Sequence, residues 1–185
     1  MTATRPRLSR ADWTDAALAA MAAAGTTGVN VEQLARSLGA TKGSFYHHFA
    51  DRGALVTAAL ERFGEIVEGD LAAAETIEDP RRRLVEVAVA GLGTGLDGFV
   101  DVALSASATD PEIAATLDEI TARRLDWLVA TLGEAGLDEA TARFRAEAGL
   151  ATYLGLFHRQ RAQGRRFGER ELRAHIMRAV DGMLA

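Results

Sequence analysis

Apolar residues recur three and four positions apart along most of this chain, the period of an α-helix lying on a core. Trp13, Ala17, Ala20, Met21 and Ala24 share one face of a first helix, predicted over Ser9 to Ala24. Ser9 and Asp12 stand at capping-box spacing, with Asp in place of the usual Glu, and Gly25 is the predicted stop. Asn30 with Gln33 caps a short second helix, Val31 to Leu38, whose apolar face is Val31, Leu34, Ala35 and Leu38. Gly39 breaks it, and a third short helix is predicted from about Thr41 to Phe49. Asp51 opens a long fourth helix, with Leu55, Ala59, Phe63, Ile66 and Leu71 at helical spacing. Asp79-Pro80 and Asp110-Pro111 each read as an N-cap followed by N1. The cap side chain accepts an orphan N–H, and proline has none to leave unpaired. Leu84 to Leu92 and Phe99 to Ala106 are apolar around a glycine-rich stretch, Gly91 to Gly98. Further helices are predicted from Asp110 to near Gly133, over Asp138 to Gln163, and over Glu169 to Leu184. The last carries Leu172, Ile176, Ala179, Val180 and Met183 on one stripe. The fold class is therefore all-α, with about nine helices and a change of composition near residue 75.

Composition narrows the functional classes. The 37 alanines among 185 residues favour helix throughout. At 48% apolar and 25% charged, the chain is suited to a folded core rather than to disorder. The absence of cysteine excludes a disulfide scaffold, a thiolate zinc site and a cysteine nucleophile. No apolar run reaches the ~18 residues of a membrane span, and Met-Thr-Ala-Thr-Arg-Pro has no signal-peptide core, so a cytoplasmic protein is expected. No Ser-His-Asp spacing stands out and the four histidines offer no ligand cluster, so neither an enzyme, a metal site nor a cofactor is expected. The formal charge of −5 argues mildly against a nucleic-acid partner when taken whole. It does not hold along the chain. Residues 1–52 carry six Lys/Arg against four acids, while the remainder is strongly acidic.

The segment 31–49 has the grammar of a helix-turn-helix: two short helices, a tight turn at Gly39-Ala40, and a small Ala35 where the helices approach. In that motif the second helix enters the major groove. Its polar face would be Thr41, Lys42, Ser44, Tyr46 and His47, with Phe45 and Phe49 anchoring it from behind. Lys42 is the chain's only lysine.

These words resemble the TetR family of transcriptional regulators. The resemblance is carried by Gly28-Val29-Asn30-Val31-Glu32-Gln33-Leu34-Ala35, by Gly39-Ala40-Thr41-Lys42-Gly43-Ser44-Phe45-Tyr46-His47-His48-Phe49, and by Arg52 and Leu55. The family wording is close to G-V-S-K-G-T-L-Y-x-H-F followed by x-x-K-x-x-L. Thr41, Ser44, Phe45 and Arg52 stand where Ser, Thr, Leu and Lys are usual, and Gly53 replaces a frequent Glu. The likeness is dense over about residues 9–60. It implies a homodimeric repressor with a three-helix DNA-binding head, residues 1–52, and a helical ligand-binding and dimerisation body, residues 53–185. The head would bind a palindromic double-stranded DNA operator, and a small apolar or aromatic effector would release it. Carried over by position, Thr41, Lys42, Ser44 and His47 are candidates for base edges or nearby phosphates. Thr27, Tyr46 and Arg52 are candidate phosphate contacts, and Arg5, Arg7 and Arg10 could add charge or reach the minor groove. Phe99, Trp127, Tyr153 and Phe157 are the candidate lining of an effector pocket, and His158 could orient a polar group or serve structure alone.

Several features have a plainer reading. His47 and His48 are adjacent, hence ~100° apart on a helix, and poorly placed to share an ion. Gly93-Thr94-Gly95-Leu96-Asp97-Gly98 matches G-x-G-x-x-G after the strand-like alternation of Val85 to Ala90, but no second strand pattern follows to build a dinucleotide fold. Arg81-Arg82-Arg83 is expected to form a solvated face. Ala148, Ala151, Thr152 and Gly155 form a small-residue stripe, and Leu172, Ile176, Val180 and Met183 a bulky one. Either could serve a dimer or the inside of one chain. The rival to an effector-controlled regulator is a constitutive or architectural DNA binder, which would have a filled core in place of the pocket.

Overall fold

The helix starts are set by side-chain caps. Ser9 accepts the Asp12 N–H at 3.2 Å while the Asp12 carboxylate accepts the Ser9 N–H at 2.7 Å, closing the capping box. Asn30, Asp51, Asp110 and Asp138 cap four further helices by accepting backbone N–H groups of the first turn, without the reciprocal bond. The computed structural model describes residues 8–93, 97–105, 110–164 and 167–185, without the side chains at 92, 97 and 99. Among the described residues it has nine α-helices and no strand. They are α1 Arg10–Ala24, α2 Val31–Ser37, α3 Lys42–Phe45, α4 Arg52–Glu75, α5 Pro80–Gly93, α6 Asp97–Ser105, α7 Pro111–Glu134, α8 Glu139–Gln163 and α9 Glu169–Leu184. A 3₁₀ turn, Gly25–Gly28, follows α1.

Two segments differ from the sequence expectation. The third helix is regular only over Lys42–Phe45. The chain then continues in turns to Phe49, with His47 N–H on the Ser44 carbonyl at 3.3 Å and His48 N–H on the Phe45 carbonyl at 2.9 Å. The alternating Val85 to Ala90 segment is helical, within α5. Its β-branched residues are overruled by the Asp79 cap, which takes the Arg81 N–H at 3.1 Å, and by packing on α4 and α9. The segment before the glycines is thus no strand, which removes the setting a dinucleotide loop needs. Residues 94–96 of that stretch lie outside the described residues.

A single apolar core joins the two parts of the chain. Trp13, Ala17, Leu18 and Met21 of α1 pack with Leu34, Ala35, Phe45, Phe49, Leu55 and Phe63, and the same cluster continues through Val67, Leu71, Val100, Leu104, Ile113 and Ile120. α4 carries it across the expected boundary at residue 52, and α6 carries it back onto α1. A second cluster, including Leu84, Val85, Leu132, Phe157, Ile176, Val180 and Met183, holds α5, α7, α8 and α9 together. The bulky stripe of α9 is therefore used inside the chain, whereas Ala148, Ala151, Thr152 and Gly155 of α8 stay exposed.

The expected solvated face at residues 81–83 is corrected at one position. Arg83 is buried, donating to the Ile77 carbonyl at 2.9 Å and pairing with Glu134 at 2.7 Å. Its partner ends α7, fifty-one positions away, and no local pattern announces it. Arg81 pairs with Asp181 on the surface.

Gly39 has φ 63°, so the turn between α2 and α3 uses a backbone shape that a side chain would strain. Gly98 is required by contact instead: a Cβ there would lie 2.0 Å from the Phe157 ring. Phe157 is fully buried and has nowhere to retreat. Gly98→Ala should cost about 1–3 kcal/mol of stability, the range for overpacking a core, measured by urea unfolding. An unchanged midpoint would show that α6 and α8 separate easily.

Candidate nucleic-acid interface and effector cavity

The polar face of α3 is presented by what lies behind it. Phe45 is fully buried, edge-on to Trp13 at 5.5 Å between ring centres and stacked on Phe49 at 5.6 Å. With Phe45 fixed, Thr41, Lys42, Tyr46 and His47 face solvent, and Ser44 is half-buried. Tyr46 is 57% exposed, although its ring lies edge-on to the buried Phe45 at 5.1 Å between centres. The Thr41 hydroxyl caps α3 by accepting the Ser44 N–H at 3.2 Å.

Charge at this face is partly committed. Lys42 Nζ donates to Glu32 Oε1 at 2.9 Å, tying α3 to α2. That bond and its Coulomb attraction hold the Glu32 carboxyl below its ordinary range and raise the Lys42 ammonium above its own. The pair helps the fold at neutral pH; the Glu32 part fades as acid carries the pH through its lowered value, and the Lys42 part as alkali passes its raised one. Both groups are at the surface, so the contribution is small.

Arg52 is also engaged: its Nε donates to the Val29 carbonyl at 2.8 Å and its Nη2 to the Thr26 carbonyl. It thereby pins the turn before α2 to the start of α4, while remaining exposed. Thr27 is exposed beside it, its hydroxyl on the Ala24 carbonyl at 2.9 Å. Arg10 belongs to the folded head rather than to an arm: its guanidinium donates to the His48 carbonyl at 3.0 Å and lies 4.3 Å over the Phe49 ring. Arg5 and Arg7 lie outside the described residues.

The body holds a cavity of about 100 Å³ with almost wholly apolar walls. Trp127 and Tyr153 line it, with Leu71, Leu84, Leu128, Leu150 and Ile176 among their neighbours. Phe157 does not reach it; this residue stands edge-on behind Tyr153, 5.1 Å between ring centres, and fills the core against Gly98. The Phe99 side chain lies outside the described residues, and His158 is exposed and away from the lining.

Sequence reasoning missed the charged wall of this cavity. Asp70 and Arg124 both line it, and Arg124 forms an ion pair with Asp101 in which both side chains are buried. The one signal was Asp101 itself, a lone acid inside an apolar run. Among the described residues no group of three His, Asp or Glu is placed to hold a metal ion, and no helix is long and apolar enough to cross a membrane.

Residues 14–59 match the family model for bacterial regulatory proteins of the tetR family. No curated protein matches the chain. Solved structures share the fold over nearly the whole length. A TetR transcriptional regulator from Legionella pneumophila is 15% identical, with TM-score 0.81 and 100% of each chain covered. A transcriptional regulator from Saccharomonospora viridis in complex with choline is 23% identical, with TM-score 0.76, covering 93% of this chain and 95% of that one. A Bacillus subtilis regulator, FadR, in complex with stearoyl-CoA is 17% identical, with TM-score 0.72, covering 96% and 98%. The head thus matches the tetR-family model over residues 14–59, and the chain as a whole shares the fold of solved TetR-family regulators.

Proposed function

We propose that the protein is an effector-controlled repressor that binds a palindromic operator as a homodimer in the cytoplasm. Residues 1–52 read the DNA and residues 53–185 carry the effector cavity and the dimer face. The observation that carries the DNA reading is the exposed face of Thr41, Lys42, Tyr46 and His47 held by the buried Phe45. Thr41, Ser44 and His47 are offered to base edges, and Lys42, Tyr46, Thr27 and Arg52 to phosphates. Arg52 keeps spare N–H donors beyond the two it gives to carbonyls.

The cavity supports the effector reading. A constitutive DNA binder needs no void in its body, and a void lined by Trp127 and Tyr153 is a cost that a ligand can offset. Two proteins of the same fold hold small molecules, choline and stearoyl-CoA. Release works as a population shift: the effector favours the body conformation whose head spacing misfits the operator. Dimerisation is supported by the exposed face of α8, where Phe144 is 71% exposed beside Ala148, Ala151 and Gly155. A Cβ at Gly155 would meet no atom of its own chain, so the chain itself gives no packing reason for glycine there.

Three outcomes test this reading. With an operator selected from random duplex DNA, Lys42→Ala or Tyr46→Ala should abolish specific binding in fluorescence anisotropy while helicity by circular dichroism persists. Retained specific binding would remove α3 from the interface. Glu32→Gln should release Lys42 and strengthen operator binding at low salt, with the gain disappearing at high salt. A weaker complex would show that Glu32 positions Lys42 rather than competing with phosphate. Gly155→Arg should convert a dimer to a monomer in light scattering without lowering the melting temperature, and a dimer that survives it would exclude this face of α8.

A further inference from the structure

A helix leaves its last carbonyls without partners of its own. At the end of α1 these are met from elsewhere. The Ala24 carbonyl accepts the Thr27 hydroxyl at 2.9 Å. The Ala22 and Ala23 carbonyls accept Nη1 and Nη2 of Arg161 at 2.9 and 3.0 Å. A guanidinium is a planar fork of donors, so one side chain spans two successive carbonyls. Arg161 lies in the last turn of α8, and its charge therefore stands at the negative ends of two helices at once.

From these carbonyls the chain runs straight into the 3₁₀ turn Gly25–Gly28. The turn is folded closely onto α1, since a Cβ at Gly28 would lie 2.6 Å from the Ala20 carbonyl oxygen. Glycine at each end gives it little stiffness of its own. Arg52 grips it from the other side through the Thr26 and Val29 carbonyls. Two arginines, one from α8 and one from the start of α4, thus hold the backbone on which the exposed Thr27 stands.

Resting on the DNA reading above, we propose that Arg161 is a positioning residue for operator binding: from the body it holds the end of α1 and the turn after it, so that Thr27 meets a phosphate. Thr27 has a short side chain, and its reach is set by its backbone. A hydrogen bond is lost once the two heavy atoms part by much more than 3 Å, so a displacement of ~1 Å in the turn is enough to lose it. The hydroxyl also has one proton, which now lies on the Ala24 carbonyl. To reach a phosphate the hydroxyl turns away from that carbonyl, and Arg161 keeps the end of α1 capped while it does. α8 supplies Thr152, Tyr153 and Leu156 to the cavity wall as well. The hold on the turn therefore comes from a helix that an effector in the cavity touches.

The test is a double-mutant cycle on the full chain, read as affinity for the selected operator. Arg161 is exposed, so its bonds add little to global stability, and Arg161→Ala should keep its helicity and melt within ~2 °C of the wild type. Thr27→Ala and Arg161→Ala should each weaken operator binding about tenfold, the scale of one charge-assisted hydrogen bond, and the double variant also about tenfold. Losses that multiply to about a hundredfold overturn the proposal, because Arg161 then acts apart from Thr27. Arg170→Ala removes the same charge from an exposed site on α9 and should leave affinity unchanged; an equal loss there assigns the effect to net charge and overturns the proposal. Without DNA, Arg161→Ala should speed amide hydrogen exchange over residues 21–29, and unchanged exchange overturns the hold on the turn. If Arg161→Ala loses helicity, Arg161→Met, which keeps the apolar stem and removes the fork, takes its place in the cycle. Thr27→Ala without effect in the wild type removes Thr27 from the interface and the proposal with it, while the reading of α3 stands. A wild-type chain that selects no duplex overturns the DNA reading itself.

Discussion

The exposed polar face of α3 depends on Phe45. α3 is regular over only four residues, far below the length at which a helix supports itself in water. Its backbone has one turn of hydrogen bonds and a threonine cap, and neither sets where its polar face points. That orientation is imposed by the aromatic contact of Phe45 with Trp13 and Phe49, all three essentially without solvent exposure. Burying a phenylalanine contributes about 1.5–3 kcal/mol, more than the ~1 kcal/mol of a typical N-cap. Trp13 comes from α1, so the polar face of α3 is positioned from the opposite side of the head.

α1 is in turn held by the body at three places. α4 joins head and body covalently and packs along α1. α6 covers another face of α1 with Val100 and Leu104. Arg161 of α8 donates to the Ala22 and Ala23 carbonyls at 2.9 and 3.0 Å. The last turn of α1 has no basic residue of its own, so its negative end receives a cation from a residue 138 and 139 positions away. A head gripped in this way cannot be a rigid reader on a loose tether. Any rearrangement around the cavity reaches it through α4, α6 or α8, all of which also supply cavity or ion-pair residues.

The parts legible in the sequence were those fixed by local chemistry. Caps at Ser9, Asn30, Asp51, Asp110 and Asp138 act within three residues of themselves, so their spacing is written in the chain. The polar face of α3 could be read for the same reason: anchors and polar positions alternate within one short segment. Trp127 and Tyr153 were identifiable as cavity candidates because few aromatic residues occur in the body. Phe157 was not separable from Tyr153 by spacing, since residues four apart share a face; only the close approach of Gly98 assigns it to the core. Arg83–Glu134, Arg124–Asp101 and Arg161 on α1 were invisible. In each case an arginine that looks solvated meets a partner set by tertiary packing. α3 was overextended because periodicity sees apolar positions at Phe45 and Phe49 but not the turns that link them.

Charge explains why pairing of two heads is a reasonable need. The head's excess of cations over acids is small, and its exposed lysine already has a carboxylate neighbour. At ~0.1 M salt, charges beyond about 10 Å are largely screened, so the acidic body neither helps nor greatly hinders phosphate contact at the tip. In the proposed reading, one such head has little general attraction for DNA and relies on the fit of Thr41, Tyr46 and their neighbours to particular groups. Two heads on one rigid frame change that balance, since binding of the first places the second at high effective concentration over its half-site. The frame must then be stiff, because a flexible one would lose that concentration. The continuous core from Trp13 to Ile120 supplies stiffness within each chain. It also makes the proposed control possible: a small change in the body that misplaces the second head removes most of the affinity, with no change to either recognition surface.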